Sequence, residues 1–192
     1  MIEQMSRWKP GAQGRLEQAA FELFVERGYD QTTVADIAAR AGLTERTFFR
    51  HYADKREVLF GGSILLRDEL VRAVESAPPE ARAIEVVRLA VGAISRLMHG
   101  RRSHARERER IVTAHADLQE RGLIKRAKLT LALTDALLER GVPKSEATLA
   151  ADLGIAVFYI GFGQWLDGPE DRELIEIVHD VFDRLRAIAA ET

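Results

Sequence analysis

Residues 44–56 read Thr-Glu-Arg-Thr-Phe-Phe-Arg-His-Tyr-Ala-Asp-Lys-Arg, a concentration of side chains suited to flat, polar, anionic partners. Arginine presents a rigid fork of donors that matches a guanine edge or a phosphate, and threonine hydroxyls suit phosphate oxygens. From Arg40 to Arg56 five cations (Arg40, Arg46, Arg50, Lys55, Arg56) face two carboxylates (Glu45, Asp54), whereas Lys/Arg and Asp/Glu are equal at nine each over residues 1–60. The positive charge is therefore a patch, and the net charge of −2 excludes a chain that coats nucleic acid by bulk charge. Other chemistries lack their residues. There is no cysteine, so disulfides, thiolate metal sites, iron–sulfur clusters and a cysteine nucleophile are excluded. The five histidines (His51, His99, His104, His115, His179) are scattered, and no HExxH, nucleophile elbow, P-loop or dinucleotide fingerprint is present. No enzyme activity, cofactor or metal is expected.

Helical periodicity must position these groups, and alternating strand patterns are scarce. Leu16, Ala19, Ala20, Leu23 and Phe24 recur at helical steps until Gly28 stops a first helix. Thr33 caps a second, with Asp36 three residues on as in a capping box. Ala41-Gly42-Leu43 turns the chain, and Thr44 opens a third helix through His51. That helix exposes Glu45, Arg46, Thr47, Arg50 and His51 and buries Phe48, with Leu43 buried ahead of it. Two short helices across a tight glycine turn are the layout of a helix-turn-helix. Asp54 caps a longer fourth helix reaching Val74. Gly61-Gly62 inside it is read as close packing, with a soft joint as the alternative. Ser76-Ala-Pro-Pro79 is a linker. Further helices run from Ile84 to Met98, from about Leu123 to Arg140 (through Ala127, Leu131, Thr134 and Leu138), from a cap at Ser145 to about Leu166, and from about Glu170 to Ala190. The apolar stretch Leu153–Leu166 is too short to span a bilayer and is expected to be a buried helix. Residues 1–10 carry no signal-peptide apolar run.

Residues 28–60 resemble the DNA-binding region of the TetR family of bacterial transcriptional regulators. The likeness rests on Gly28-Tyr29, Thr32-Thr33-Val34, Asp36-Ile37-Ala38, Ala41-Gly42-Leu43, Thr47-Phe48-Phe49-Arg50-His51-Tyr52 and Asp54-Lys55-Arg56-Glu57-Val58-Leu59-Phe60. The resemblance implies phosphate contacts from Thr33, Thr44 and Lys55. It places Glu45, Arg46, Thr47 and Arg50 in the groove and His51 and Tyr52 near the DNA backbone. Phe49 stands where the family usually has Tyr, so a thymine methyl becomes its natural contact. Tyr52, where the family usually has Phe, would restore a hydroxyl nearby. The arm Arg7-Trp8-Lys9-Pro10 would track the minor groove or phosphates, or be ordered only on DNA.

The expected fold is all-α, with about nine helices. Residues 1–54 form an arm and helix-turn-helix domain, and residues 55–192 a larger ligand-binding and dimerisation domain. Leu174, Val178, Val181, Leu185 and Ile188, beside a column through Ile175, Phe182 and Ala189, give the last helix a wide apolar stripe. Leu149, Leu153, Val157 and Ile160 stripe the helix before it, with Gly154, Gly161 and Gly163 allowing close approach. These faces are read as a homodimer interface, as the resemblance implies for the last two helices. The resemblance also implies an effector pocket, for which Leu66, Met98, Ile111, His115, Phe158, Phe162 and Trp165 are candidates; ordinary core packing is the alternative for each. No carboxylate stands out to hold a cation, so a neutral or anionic apolar ligand is favoured. The run Arg101–Arg110 is read as a solvated helix of near-neighbour ion pairs, with an anion-attracting mouth as the alternative. The sequence thus points to a cytoplasmic homodimeric regulator of palindromic double-stranded DNA, a repressor released by a small molecule, with no membrane partner. An architectural DNA-binding protein or a helical enzyme are the other readings.

Overall fold

The computed structural model describes residues 11–190. Among these there are ten α-helices and no strand: α1 Ala12–Arg27, α2 Val34–Arg40, α3 Glu45–His51, α4 Lys55–Val58, α5 Ser63–Glu75, α6 Ala83–Arg96, α7 Arg102–Thr113, α8 Ala116–Glu139, α9 Lys144–Asp167 and α10 Leu174–Ala190. The arm Arg7–Pro10 lies outside the described residues. Two compact units form among the described residues, one from residues 11–62 and 107–122, the other from 63–106 and 123–190.

In the first unit α1 packs on α2, α3 and α4, and α2 on α3. Its core joins Leu16, Leu23 and Phe24 of α1 to Ile37, Phe48 and Tyr52, and to Ile111, Val112 and Leu118 from the 107–122 segment. Gly28 ends α1 at φ +87°, a conformation open to glycine at little cost. Thr32, buried beside it, donates its hydroxyl to the Gly28 carbonyl at 2.9 Å.

The second unit stacks α5 on α6, and α6, α9 and α10 on one another. Val86, Val87, Ala90, Val91 and Ile94 of α6 meet Ile155 and Phe158 of α9 and Val178, Val181 and Phe182 of α10. Close approach needs glycine at two places. A Cβ on Gly154 would stand 2.1 Å from Val87 Cγ1, and one on Gly161 would stand 2.7 Å from Val178 Cγ2 and 3.3 Å from its Cα. The stretch Leu153–Leu166 belongs to a 24-residue helix, long and apolar enough by composition to cross a bilayer. Ten of its residues are instead buried within this unit.

Several boundaries differ from the sequence expectation. The fourth helix is two, α4 and α5, parted by a turn over residues 59–62, so the glycine pair lies between helices and not within one. Close packing holds Gly61, where a Cβ would meet Glu17 Oε1 at 2.2 Å. Helix α9 starts after Pro143 with no side-chain cap, so Ser145 does not cap it; the proline's fixed φ suits a helix entry. Helix α8 begins at Ala116, and its core face is Leu129, Leu133, Ala136 and Leu137. The line Ala127, Leu131 and Leu138 faces outward.

The run Arg101–Arg110 is not a plain solvated face. Arg102 stacks over Trp165 and donates to the Gly168 and Pro169 carbonyls, while Arg106 donates twice to the Leu166 carbonyl. These arginines satisfy carbonyls left unpaired at the end of α9, where positive charge also suits the helix dipole. Arg110, paired with Glu107, and Arg108, 3.7 Å from Glu109, make near-neighbour contacts of the expected kind.

Alanine at position 161 tests the glycine account. Helix propensity alone predicts a gain of about 1 kcal/mol. The blocked approach to Val178 predicts that Gly161→Ala lowers stability by about 1–3 kcal/mol in urea denaturation.

Candidate nucleic-acid interface

The short helices α2 and α3 are held by their first residues. Thr33 accepts the Asp36 amide at 3.1 Å, while the Asp36 carboxylate accepts the Thr33 amide at 2.9 Å and hydroxyl at 2.6 Å. This is the capping box expected from the sequence. Those bonds from Thr33 hold the Asp36 carboxyl below its ordinary value. Thr44 caps α3 by accepting the Thr47 amide at 3.2 Å, and the two hydroxyls lie 3.1 Å apart. Between the helices Gly42 adopts φ +66°, and the Leu43 amide donates back to the Ala38 carbonyl at 2.8 Å.

Phe48 anchors α3. It is fully buried, packing with Tyr52 at a ring separation of 5.6 Å. With that face fixed, Glu45, Arg46, Phe49, Arg50 and His51 are exposed, Phe49 at 55%, and Thr47 is partly so. The side chains of Arg46, Arg50 and His51 make no hydrogen bond or ion pair among the described residues. The neighbouring cations are engaged. Arg40 pairs with Glu26 at 2.8 Å, which holds the Glu26 carboxyl below its usual range, and Arg56 pairs with Asp54 at 2.5 Å. The free positive charge of this face is thus narrower than the sequence count suggests, and it centres on Arg46 and Arg50.

Two expected DNA contacts serve the fold in this structure. Tyr52 is 6% exposed and donates its hydroxyl to Glu17 Oε1 at 2.5 Å. Burial, then that carboxylate, push its phenol well above the ordinary value. It therefore does not replace the hydroxyl missing from Phe49. Lys55 donates to the Tyr29 and Thr32 carbonyls at 2.9 and 3.2 Å and sits 4.2 Å from the Tyr29 ring centroid. It clamps the loop leading into α2 and retains one donor of three.

The sequence reading missed the residues around Tyr29. The Tyr29 hydroxyl donates to Asp117 at 3.0 Å, and its ring meets Phe24 and His115 edge-on. Burial and then Asp117 push this phenol up too. Arg121 pairs with Glu57 at 3.0 Å, and Arg108 donates to the Leu59 carbonyl from above the Phe60 ring. Ile111 is core here, and His115 Nδ1 lies 2.9 Å from the Ile111 carbonyl. These two pocket candidates belong to the first unit, whereas Leu66, Met98, Phe158, Phe162 and Trp165 belong to the core of the second unit and its margin. There Phe158, Phe162 and Trp165 pack ring on ring. Among the interface candidates, Val157, Leu174, Val178, Val181 and Phe182 are buried within their own unit. Leu149 and Ile160 are exposed at 61% and 53%, and Leu153 and Leu185 are half-buried.

Residues 17–60, which span this helix-turn-helix, match the model of the bacterial regulatory proteins of the tetR family. This segment is similar to the DNA-binding domain of that family. Over 64 residues it is 39% identical to the HTH-type transcriptional regulator TcmR of Streptomyces glaucescens, covering 33% of this chain and 28% of that protein. Over 155 residues it is 28% identical to the HTH-type transcriptional regulator Mb2274c of Mycobacterium bovis, covering 76% and 79%. The chain spans 28% of the length of TcmR and 52% of that of the Mycobacterium tuberculosis protein MftR. In fold it is similar to the transcriptional regulator FadR of Bacillus subtilis, solved with stearoyl-CoA (TM-score 0.61, 19% identity, 88% and 95% of the two chains). It is also similar to SmeT, repressor of the Stenotrophomonas maltophilia multidrug efflux pump SmeDEF (TM-score 0.59, 19% identity, 93% and 90%). The likeness in fold to these two proteins extends beyond the matched segment through the helical second unit.

Tyr52→Phe separates a structural from a phosphate-binding tyrosine. The expected outcome is a loss of ~1 kcal/mol in denaturant stability with specific DNA affinity unchanged. Unchanged stability with weakened binding would make Tyr52 a DNA contact. The capping box has a pH signature. Asp36 has a lowered folded pKa, so its stabilisation is present above the ordinary value of 3.8 and is lost as pH falls through the folded value. Acid denaturation of Asp36→Asn should lack that component.

Proposed function

We propose that this protein is a sequence-specific transcriptional regulator, a cytoplasmic homodimeric repressor released from a palindromic operator by a small, largely apolar ligand. One observation carries the DNA-binding reading. Helix α3 is anchored by Phe48 and turns Arg46, Phe49 and Arg50 outward, the side chains of the two arginines without partners among the described residues. In a major groove Arg46 and Arg50 would offer bidentate donors to guanine, and Phe49 an apolar face to a thymine methyl. Thr33, Thr44 and the remaining donor of Lys55 would meet phosphates, with His51 beside them. Glu45 would accept from a cytosine amino group, and Thr47 would face the groove.

Dimerisation gives the short α3 its reach, since one such helix reads few base pairs while two read a palindrome. The face that supports it runs along α9 through Leu149, Leu153, Ala156, Ile160 and Gly163, with Leu185 and Ile188 on α10. Stearoyl-CoA in FadR and triclosan in SmeT are ligands of those proteins. They support an effector of apolar character here, without naming it. The named relatives are regulators, which favours this reading over an enzyme.

Arg50→Ala should weaken specific binding by about 1–3 kcal/mol and relax selectivity at one position of each half-site. Equal affinity for every sequence before and after the change would remove Arg50 from the reading set. Leu149→Glu with Ile160→Glu should give monomers in sedimentation velocity. A dimer that survives both would place the interface elsewhere.

A further inference from the structure

The second unit contains a groove that the DNA-binding reading does not use. It lies along the outer face of α6 and has a volume of about 450 Å³, within the range of small-molecule sites. Positions 85, 88, 89, 92 and 96 follow one helical face, and His179 of α10 closes the side. Leu89, 49% exposed, and the backbone at Gly92 make an apolar wall and floor. A Cβ on Gly92 would point between the cationic groups, 3.6 Å from His179 Nε2 and 3.9 Å from an Arg96 guanidinium nitrogen.

The charges at the groove are unbalanced. The Arg96 side chain makes no hydrogen bond or ion pair among the described residues, and that of Arg88 has only a 3.7 Å contact to Asp183. The nearby carboxylates are held elsewhere, Glu85 by Arg82 at 2.9 Å and Asp180 by Arg172 at 2.8 Å. His179 is pushed below its ordinary value by burial and then by Arg88, with Arg96 in the same direction and Asp183 and Asp180 opposing. Arg88, Arg96 and His179 thus border a groove whose surface is almost wholly apolar, and among the described residues Asp183 is the one carboxylate paired with any of them.

We propose that this groove binds a small organic carboxylate with a compact apolar body, its charge held by Arg96, Arg88 and His179 and its body laid against Leu89 and Gly92. Bound carboxylate would favour the imidazolium of His179, so affinity rises as pH falls through the range of that histidine. The groove belongs wholly to the second unit, so its test needs no DNA, and its failure leaves the DNA-binding reading untouched.

The full chain is titrated calorimetrically with 4-phenylbutyrate, with 4-phenylbutan-1-ol as neutral counterpart and inorganic phosphate as bare anion. The expected result is one site per chain for phenylbutyrate, with both controls at least about tenfold weaker. Arg96→Gln and Gly92→Leu, each checked for unchanged thermal unfolding, should each weaken binding about tenfold or more. His179→Gln should flatten the rise in affinity seen as pH is lowered from neutrality to below the ordinary histidine value. Absence of binding at millimolar concentration, equal binding of the alcohol, or unchanged affinity in both Arg96→Gln and Gly92→Leu would overturn the proposal.

Discussion

The backbone turn at Gly42 is the constraint on which the outward face of α3 depends. Its φ of +66° is a conformation that a side chain resists, and it lets the Leu43 amide bond back to the Ala38 carbonyl. Ala38 and Ala41, both buried, leave room for α2 and α3 to cross closely. Once the crossing is set, Phe48 fixes the rotation of α3 about its own axis. A seven-residue helix is not stable alone, so this packing, together with the Thr33 and Thr44 caps, decides which residues meet solvent. Arg46, Phe49 and Arg50 are outward because Phe48 is inward.

A second layer of interactions stiffens that arrangement from a distant part of the chain. Tyr29 is gripped by the Asp117 carboxylate and by the Lys55 ammonium over its ring, while Arg121 reaches Glu57 and Arg108 reaches the Leu59 carbonyl. Burial of Ile111, Val112 and Leu118 adds apolar area to these polar links. The 107–122 segment is thus part of the same compact unit as the helix-turn-helix. The helices α7 and α8 each contribute residues to both units, so they connect the two covalently as directly as the 59–62 turn does.

Much of this was legible in the sequence because it is local. The Thr33–Asp36 box, the Thr44 cap, the Asp54 cap, the Gly28 stop and the burial of Phe48 follow from spacing over three or four residues. What was not legible is tertiary. Nothing around Tyr52 announces a carboxylate 35 residues earlier in the chain, so its hydroxyl looked available to a phosphate. Nothing around Lys55 announces the Tyr29 and Thr32 carbonyls. In α8 and α10 periodicity showed apolar columns but not which column meets its own core. Leu131 proved exposed, whereas Val181 and Phe182 proved buried. The arginine run illustrates the same limit. Its charge pattern suggested neighbours along one helix, but Arg102 and Arg106 bond to carbonyls at the end of another, 60 or more residues away.

The central claim, that α3 reads DNA sequence as half of a symmetric pair, is tested most directly by selection from random double-stranded DNA at near-physiological salt, followed by sequencing. The account predicts enrichment of a palindrome whose half-sites lie about one helical turn apart. If no motif is enriched even after the protein has been unfolded and refolded to strip any bound ligand, the outward face of α3 is not a reading head and the account is contradicted.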